Sequence, residues 1–181
     1  MKDLSMHIMD VVQNSVRAQA DTVKLLIAVE EQYLVITVED NGTGMDEVTL
    51  KKVTDPFYTS RTSRKVGMGI PLIKQNAELT GGSISLSSTV GSGTTLSAKF
   101  GLKHIDRPPM GDICATAAMI ITGNNGVNVV LEVVKGDKAF ALSTNEVKEI
   151  LGDVDIRIPK VTSFLKEMIA ENLKELNIEF D

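Results

Sequence analysis

Asp40 ends an alternating apolar run, Tyr33 to Asp40, and is followed at once by Asn41-Gly42-Thr43-Gly44-Met45. Strand side chains alternate with period two, so Leu34, Ile36, Val38 and Asp40 fall on one face, and apolar residues carry a carboxylate to the mouth of a core. A half-buried carboxylate is costly unless donors meet it, so a partner that presents N–H groups is the economical explanation. Gly42 and Gly44 let the backbone after it turn sharply and approach that partner. Asp-Asn-Gly is also ordinary turn chemistry, so the loop takes its meaning from the rest of the chain.

Two other groups share that pattern. Gly67-Met68-Gly69-Ile70-Pro71-Leu72 opens a segment with helical character that Gly81-Gly82 ends. Glycines at a helix start leave free N–H groups and the positive end of the macrodipole facing outward, an anion site for which phosphate is the obvious candidate. Earlier, His7, Asp10, Asn14, Arg17 and Asp21 recur at helical spacing as a polar stripe. A solvated helix face explains most such stripes, but Asn14 is a mediocre helix former between two apolar turns, where Lys or Glu would serve solvent better.

The elements that must position these residues follow in order. Ser5 to about Ala20 reads as a helix with Ser5 as N-cap and Ile8, Val11, Val12 and Ser15 inward. Thr22 to Glu30 and Tyr33 to Asp40 form a hairpin, and Asp46 caps a short helix through Val53. Asp55-Pro56-Phe57-Tyr58 breaks regular structure, and Thr59 to Lys65 is a polar, basic loop without a packing pattern. A helix to about Thr80 precedes strands Ser83 to Thr89 and Thr94 to Gly101. His104-Ile105-Asp106-Arg107-Pro108-Pro109 marks a domain boundary by its proline pair. Beyond it come an apolar helix capped by Asp112, for which Ile120 and Ile121 leave a strand open, and a hairpin, Val127 to Val134 with Ala139 to Ser143. Helices over Thr144 to Leu151 and Lys160 to Leu176 complete the chain. Two domains are expected, 1–104 and a small mixed α/β module at 105–181.

Composition removes several classes of function. The 181 residues carry a net charge of −5 and the pI is near 5.1, which argues against general attraction to nucleic acid. Aromatics are 4% with no Trp, so a base-stacking platform is lacking. Cys114 is alone, which excludes an internal disulfide or a cysteine zinc site and fits a reducing compartment. With no signal h-region and no run near the roughly 18 apolar residues of a membrane span, a soluble cytoplasmic protein is expected.

The order of these pieces resembles the GHKL ATPases, the superfamily of type II topoisomerases, heat-shock chaperones, histidine kinases and mismatch-repair clamps. The resemblance covers about residues 3 to 101. It implies an α+β fold, a two-layer sandwich with helices on one face of a mixed sheet. By position, Asn14 looks like the residue that holds magnesium on the triphosphate, and Asp40 like the carboxylate that accepts the adenine amino group. Gly42 and Gly44 look like the loop beneath the base, and Asp55-Pro56-Phe57 like the F-box of the kinases. Gly67, Met68 and Gly69 look like the lid hinge and helix start at the phosphates, and Thr94 like the threonine near the adenine edge. Arg61, Arg64 and Lys65 are candidates for phosphate contact. The implied cofactors are ATP and Mg.

Asp10 lies four residues before Asn14, where hydrolysing members and the anti-sigma serine kinases carry Glu. A carboxylate there can act as general base, although Asp reaches one methylene less far. The motif region begins at the first residues of the sequence, so a helical hairpin bearing a sensor kinase's phosphoacceptor histidine is not expected, and His7 is a poor substitute. The resemblance therefore points to an ATP-dependent enzyme, a stand-alone anti-sigma-type serine/threonine kinase or an ATPase. The alternatives are a non-catalytic ATP-gated binding module and a histidine kinase catalytic domain acting on a separate phosphoacceptor. The expected partner is a sigma factor, an anti-sigma antagonist or another phosphoacceptor, with a homodimer allowed and neither nucleic acid nor membrane involved.

Overall fold

The computed structural model describes residues 2–54, 69–123 and 126–180. The Asp55-Pro56-Phe57 break, the basic loop with Arg61, Arg64 and Lys65, and the Gly67-Met68 pair lie outside the described residues.

Helix α1 spans Leu4–Arg17. Its N-cap is Asp3, whose carboxylate accepts from the Met6 N–H at 2.9 Å; Ser5, expected in that role, is already inside the helix. Ser5 is buried, and its hydroxyl donates to the Met110 carbonyl at 2.5 Å, so a tertiary contact claimed the serine and the aspartate two residues earlier was left to cap. The helix also stops earlier than its polar stripe suggests. Gln19 takes a left-handed conformation with φ of 59°, and the Gln19 and Ala20 N–H groups donate to the Val16 and Ser15 carbonyls. That is a Schellman-type end built without glycine.

Strands β1 (Thr22–Val29) and β2 (Tyr33–Asp40) pair antiparallel, as read from their alternation. Helices α2 (Glu47–Val53) and α3 (Gly69–Leu79) precede β3 (Ser83–Thr89) and β4 (Gly93–Gly101). The short helix α2 is capped by Asp46, whose carboxylate accepts from the Thr49 N–H at 2.7 Å. After the proline pair come α4 (Ile113–Gly123), β5 (Asn128–Lys135), β6 (Lys138–Ser143), α5 (Thr144–Leu151) and α6 (Pro159–Glu175). Ile120 and Ile121 are helical and buried.

The six strands form one mixed sheet in the order β3-β4-β2-β1-β5-β6. The segment after residue 105, read from sequence as a small module of its own, adds its hairpin to this sheet: β5 pairs in parallel with β1 along the whole of it, Thr22 opposite Asn128 to Val29 opposite Lys135. Val23, Leu25, Ile27 and Val29 of β1 then share one core with Val129, Leu131 and Val133 of β5 and with α1, α3, α4 and α6. Helix α4 is apolar nearly all round because it is buried on two sides, against α1 and β5 and beneath α6. Removing the side chain of a fully buried residue such as Ile27 would cost about 2–5 kcal/mol.

Candidate functional site

Asp40 ends β2 opposite Thr94 of β4, and α1 crosses the same side of the sheet. Ser15 of α1 is buried, and its hydroxyl donates to Asp40 Oδ2 at 2.6 Å. The Gly42 N–H donates to Asp40 Oδ1 at 2.9 Å. Both carboxylate oxygens are thus held by the chain, and each keeps capacity for another donor.

Around this carboxylate lies a cavity of about 160 Å³. Asn14, Asp40 and Thr94 supply its polar wall, and Val11, Val38, Leu86 and Leu96 its apolar wall. Ile70 also lines it, which brings the first turn of α3, beginning at Gly69, to the rim. An apolar slot with a few fixed polar groups suits a flat, largely apolar ligand with a polar edge.

The loop after Asp40 is built by close approaches. Asn41 turns away from the cavity, its Oδ1 accepting from the Asp21 and Thr22 N–H groups at 2.9 Å each. The Thr43 N–H donates to the Ala18 carbonyl at 2.8 Å, and a Cβ on Gly42 would stand 2.6 Å from that same oxygen. Gly44 has φ of +68°, and a Cβ there would meet the Thr89 carbonyl oxygen at 2.0 Å. The loop is therefore pressed against α1 on one side and the β3–β4 turn on the other, which only glycine permits. Ser88 completes the frame: its oxygen accepts from the Met45 N–H at 2.8 Å and lies 2.8 Å from Thr94 Oγ1.

Of the residues singled out from sequence, Asn14, Asp40, Gly44 and Thr94 line one cavity, Gly42 holds Asp40, and Gly69 opens the helix at its rim. Asp10 is half-buried one helical turn from Asn14 and is outside the cavity wall. His7 departs from the expected solvated stripe: it is 1% exposed, with Nε2 3.0 Å from Asn76 Nδ2 of α3. Its Nδ1 is buried without a hydrogen-bond partner, and burial above all lowers its pKa from the ordinary 6.5. Sequence reasoning missed Ser15 and Ser88 as members of the site. A hydroxyl at a helical position otherwise filled by Ile8, Val11 and Val12 was the signal for Ser15; Ser88 gave none within a Ser-rich strand.

Residues 2–104, more than half of the chain, match the family described as histidine kinase-, DNA gyrase B-, and HSP90-like ATPase. The chain belongs to this family. Residues 2–104 are accordingly its ATP-binding domain, and the polar and glycine positions above belong to that region. Among similar curated proteins, the sensor histidine kinase YxdK of Bacillus subtilis is 31% identical over 106 residues, 55% of this chain and 33% of that protein. The sensor kinase CckA of Brucella abortus is 40% identical over 67 residues, 36% of this chain and 7% of that protein. A putative sensor protein of Shewanella frigidimarina is 28% identical over 103 residues, 55% of this chain and 16% of that protein. The chain thus spans a third or less of the length of these relatives. Among solved structures, the N-terminal domain of a DNA repair protein superposes with a TM-score of 0.59 at 14% identity, covering 84% of this chain and 58% of that one. At that identity the likeness concerns the fold, and it extends past the residues that match the family. No helix among the described residues is long and apolar enough to cross a membrane.

Proposed function

We propose that this chain is a Mg-ATP-dependent regulatory protein kinase or ATPase in which Asp40 reads adenine, Asn14 holds magnesium and Asp10 is the general base. The observation that supports it most is the Asp40 carboxylate, fixed by the Ser15 hydroxyl and the Gly42 N–H at the end of an apolar slot. An exocyclic amino group donates, so a carboxylate already oriented by two donors accepts it without reorganisation, whereas the carbonyl of guanine would face oxygen against oxygen.

Asn14 offers one neutral amide oxygen, which accepts from Arg17 Nη1 at 3.1 Å. Among the described residues no group of three or more His, Cys, Asp or Glu is arranged to hold a metal. One hard oxygen suits magnesium, which keeps several waters and draws further ligands from substrate phosphates rather than from an all-protein cage. Bound there, magnesium would neutralise charge on the phosphates. The rim at Gly69 presents the start of an 11-residue helix, whose N–H groups favour the same phosphates. Arg61, Arg64, Lys65, Gly67 and Met68 are assigned to phosphate contact and lid closure on the resemblance alone.

Asp10 stands one turn before Asn14 on the same helix, so a phosphate near Asn14 brings an attacking oxygen within its reach. In a transfer to a serine or threonine, the hydroxyl oxygen bonds to the terminal phosphorus, its proton passes to the Asp10 carboxylate, and ADP leaves with the bond electrons. The relative named a sensor histidine kinase favours a second reading, catalysis on a histidine of a separate phosphoacceptor, for which no base is needed on a neutral imidazole. A third, an ATP-gated binder, needs no turnover.

One experiment separates them. ATP binding, phosphate release and labelling of extract proteins from labelled ATP are measured side by side for the wild type and Asp10→Ala. The kinase reading requires acid-stable labelling that falls by roughly 10²- to 10⁴-fold in the variant while binding is kept. Acid-labile labelling that survives the substitution supports histidine transfer, and intact binding with no turnover in either chain supports the binder.

A further inference from the structure

Among the described residues the helices pack on one face of the sheet, and the other face is left largely uncovered. Along the strands, side chains alternate, so the residues that are not in the core point to this second face. Among the described residues it is exposed or half-buried apart from Val35, Gly93 and Ser143. We propose that a second copy of the chain packs on it, sheet to sheet, about a twofold axis that runs parallel to the strands between β1 and β2.

The argument is charge complementarity under that one rotation. The axis divides the sheet order into β3-β4-β2 and β1-β5-β6, so β1 of one copy comes to lie over β2 of the other, and β5 over β4. The open face carries two lysines, Lys24 and Lys99, and two glutamates, Glu39 and Glu132. Lys24 and Glu39 are register partners on β1 and β2, so the rotation sets each lysine opposite the second copy's glutamate. They are 61% and 55% exposed and only 3.9 Å apart within the chain, which leaves both able to engage a second partner. Lys99 on β4 and Glu132 on β5 sit one row apart after the rotation, about 7 Å along the strand and within side-chain reach. No like charges meet.

The shape agrees. In the row of Lys99, Ala28 comes to face Val35, and in the next row toward Lys24, Leu26 comes to face Thr37, each pair being register partners in the same chain. On the outer strands the open face is made of small residues, Ser83 and Ser85 of β3 against Ala139 and Ala141 of β6, which allow two sheets to approach. Six strands about 4.8 Å apart and roughly 25 Å long give a face on the order of 700 Å² per copy, near the ~800 Å² of a standard interface. The net charge of −5 opposes association in general, but this face is neutral.

The test uses the full chain and two single variants, Lys24→Glu and Glu39→Lys, with mass measured by sedimentation from micromolar to submillimolar concentration. The wild type is expected to form a dimer, and each variant alone to be monomeric, because the rotation then places like charges opposite each other. An equimolar mixture of the two is expected to recover the dimer. In that mixed pair the acidic substitution of one chain faces the basic substitution of the other, and the unchanged Glu39 faces the unchanged Lys24. The recovery cannot come from the pair within a chain, which stays broken in both variants. A wild type that remains monomeric throughout, a dimer that survives in both single variants, or a mixture that stays monomeric overturns the proposal.

Discussion

The Ser15 hydroxyl has one proton, and the structure gives it to Asp40: Oδ2 lies 2.6 Å away, against 3.4 Å to the Val11 carbonyl. A helix residue and a strand residue 25 positions apart are thereby tied at the cavity, and the carboxylate plane is set before any ligand arrives.

Replacing that carboxylate by an amide sets donor against donor. In Asp40→Asn, the amide oxygen can satisfy either Ser15 or Gly42, and the NH₂ then faces the remaining donor or the adenine amino group. ATP affinity is expected to fall by about 1–3 kcal/mol. Titration calorimetry against Mg-ATP measures it, and unchanged affinity would remove Asp40 from the site.

Ser15→Ala leaves the carboxylate charge and removes one of the groups that orient it. A smaller loss is expected, about 0.5–1.5 kcal/mol in ATP affinity. Combined with Asp40→Asn, the two losses should fail to add, since both act through one hydrogen bond. Strict additivity in the double variant would show that Ser15 acts elsewhere.

His7 gives a pH dependence with a definite sign. Its folded pKa is held below 6.5, chiefly because burial disfavours the charged ring, so below pH 6.5 the unfolded chain binds a proton that the folded chain does not. This contribution lowers stability as pH falls through 6.5 toward the folded pKa and vanishes above it. Denaturant midpoints compared between pH 7.5 and pH 5.5 for the wild type and His7→Gln should show a shallower decline in the variant. Parallel declines would mean that His7 does not titrate in this window.

Two backbone substitutions, one against the β3–β4 turn and one at the end of α1, should move stability in opposite directions. Gly44→Ala puts a Cβ into the Thr89 carbonyl at a positive φ and should destabilise by more than about 1 kcal/mol, with loss of ATP binding. Gln19→Gly relieves a left-handed conformation, φ 59°, and should be neutral to stabilising by up to about 1 kcal/mol. Thermal unfolding of both chains decides, and a stabilising Gly44→Ala would contradict the close approach described.

Much of this arrangement was legible in the residues. The Tyr33 to Asp40 alternation gave β2 with its bounds, and Asp46 gave its helix, because the alternation and the cap are each written in consecutive residues. The helix cap at Asp3 was not legible. Ser5 fits the cap by type, and only the Met110 carbonyl, 105 positions away, takes its hydroxyl elsewhere. The same reason hid the burial of His7, which depends on Asn76 of α3 crossing α1, and the pairing of β5 with β1, which no local pattern encodes. In the site, Asp40 and its glycines were readable because they violate strand patterning, whereas Ser15 sits where a small apolar residue would also fit.

The parallel seam between β1 and β5 has a practical bearing on how the protein can be cut. The family match ends at residue 104, yet the backbone of β1 is bonded on one side by residues 128–135. A fragment trimmed to the matched region would present that flank of β1 as a bare edge of eight residues, with Val23, Leu25, Ile27 and Val29 stripped of their β5 neighbours. Such an edge invites other chains to pair with it, so the trimmed fragment should aggregate where the whole chain does not. Lower solubility is therefore expected of the trimmed fragment than of the whole chain, and nucleotide measurements belong on the whole chain.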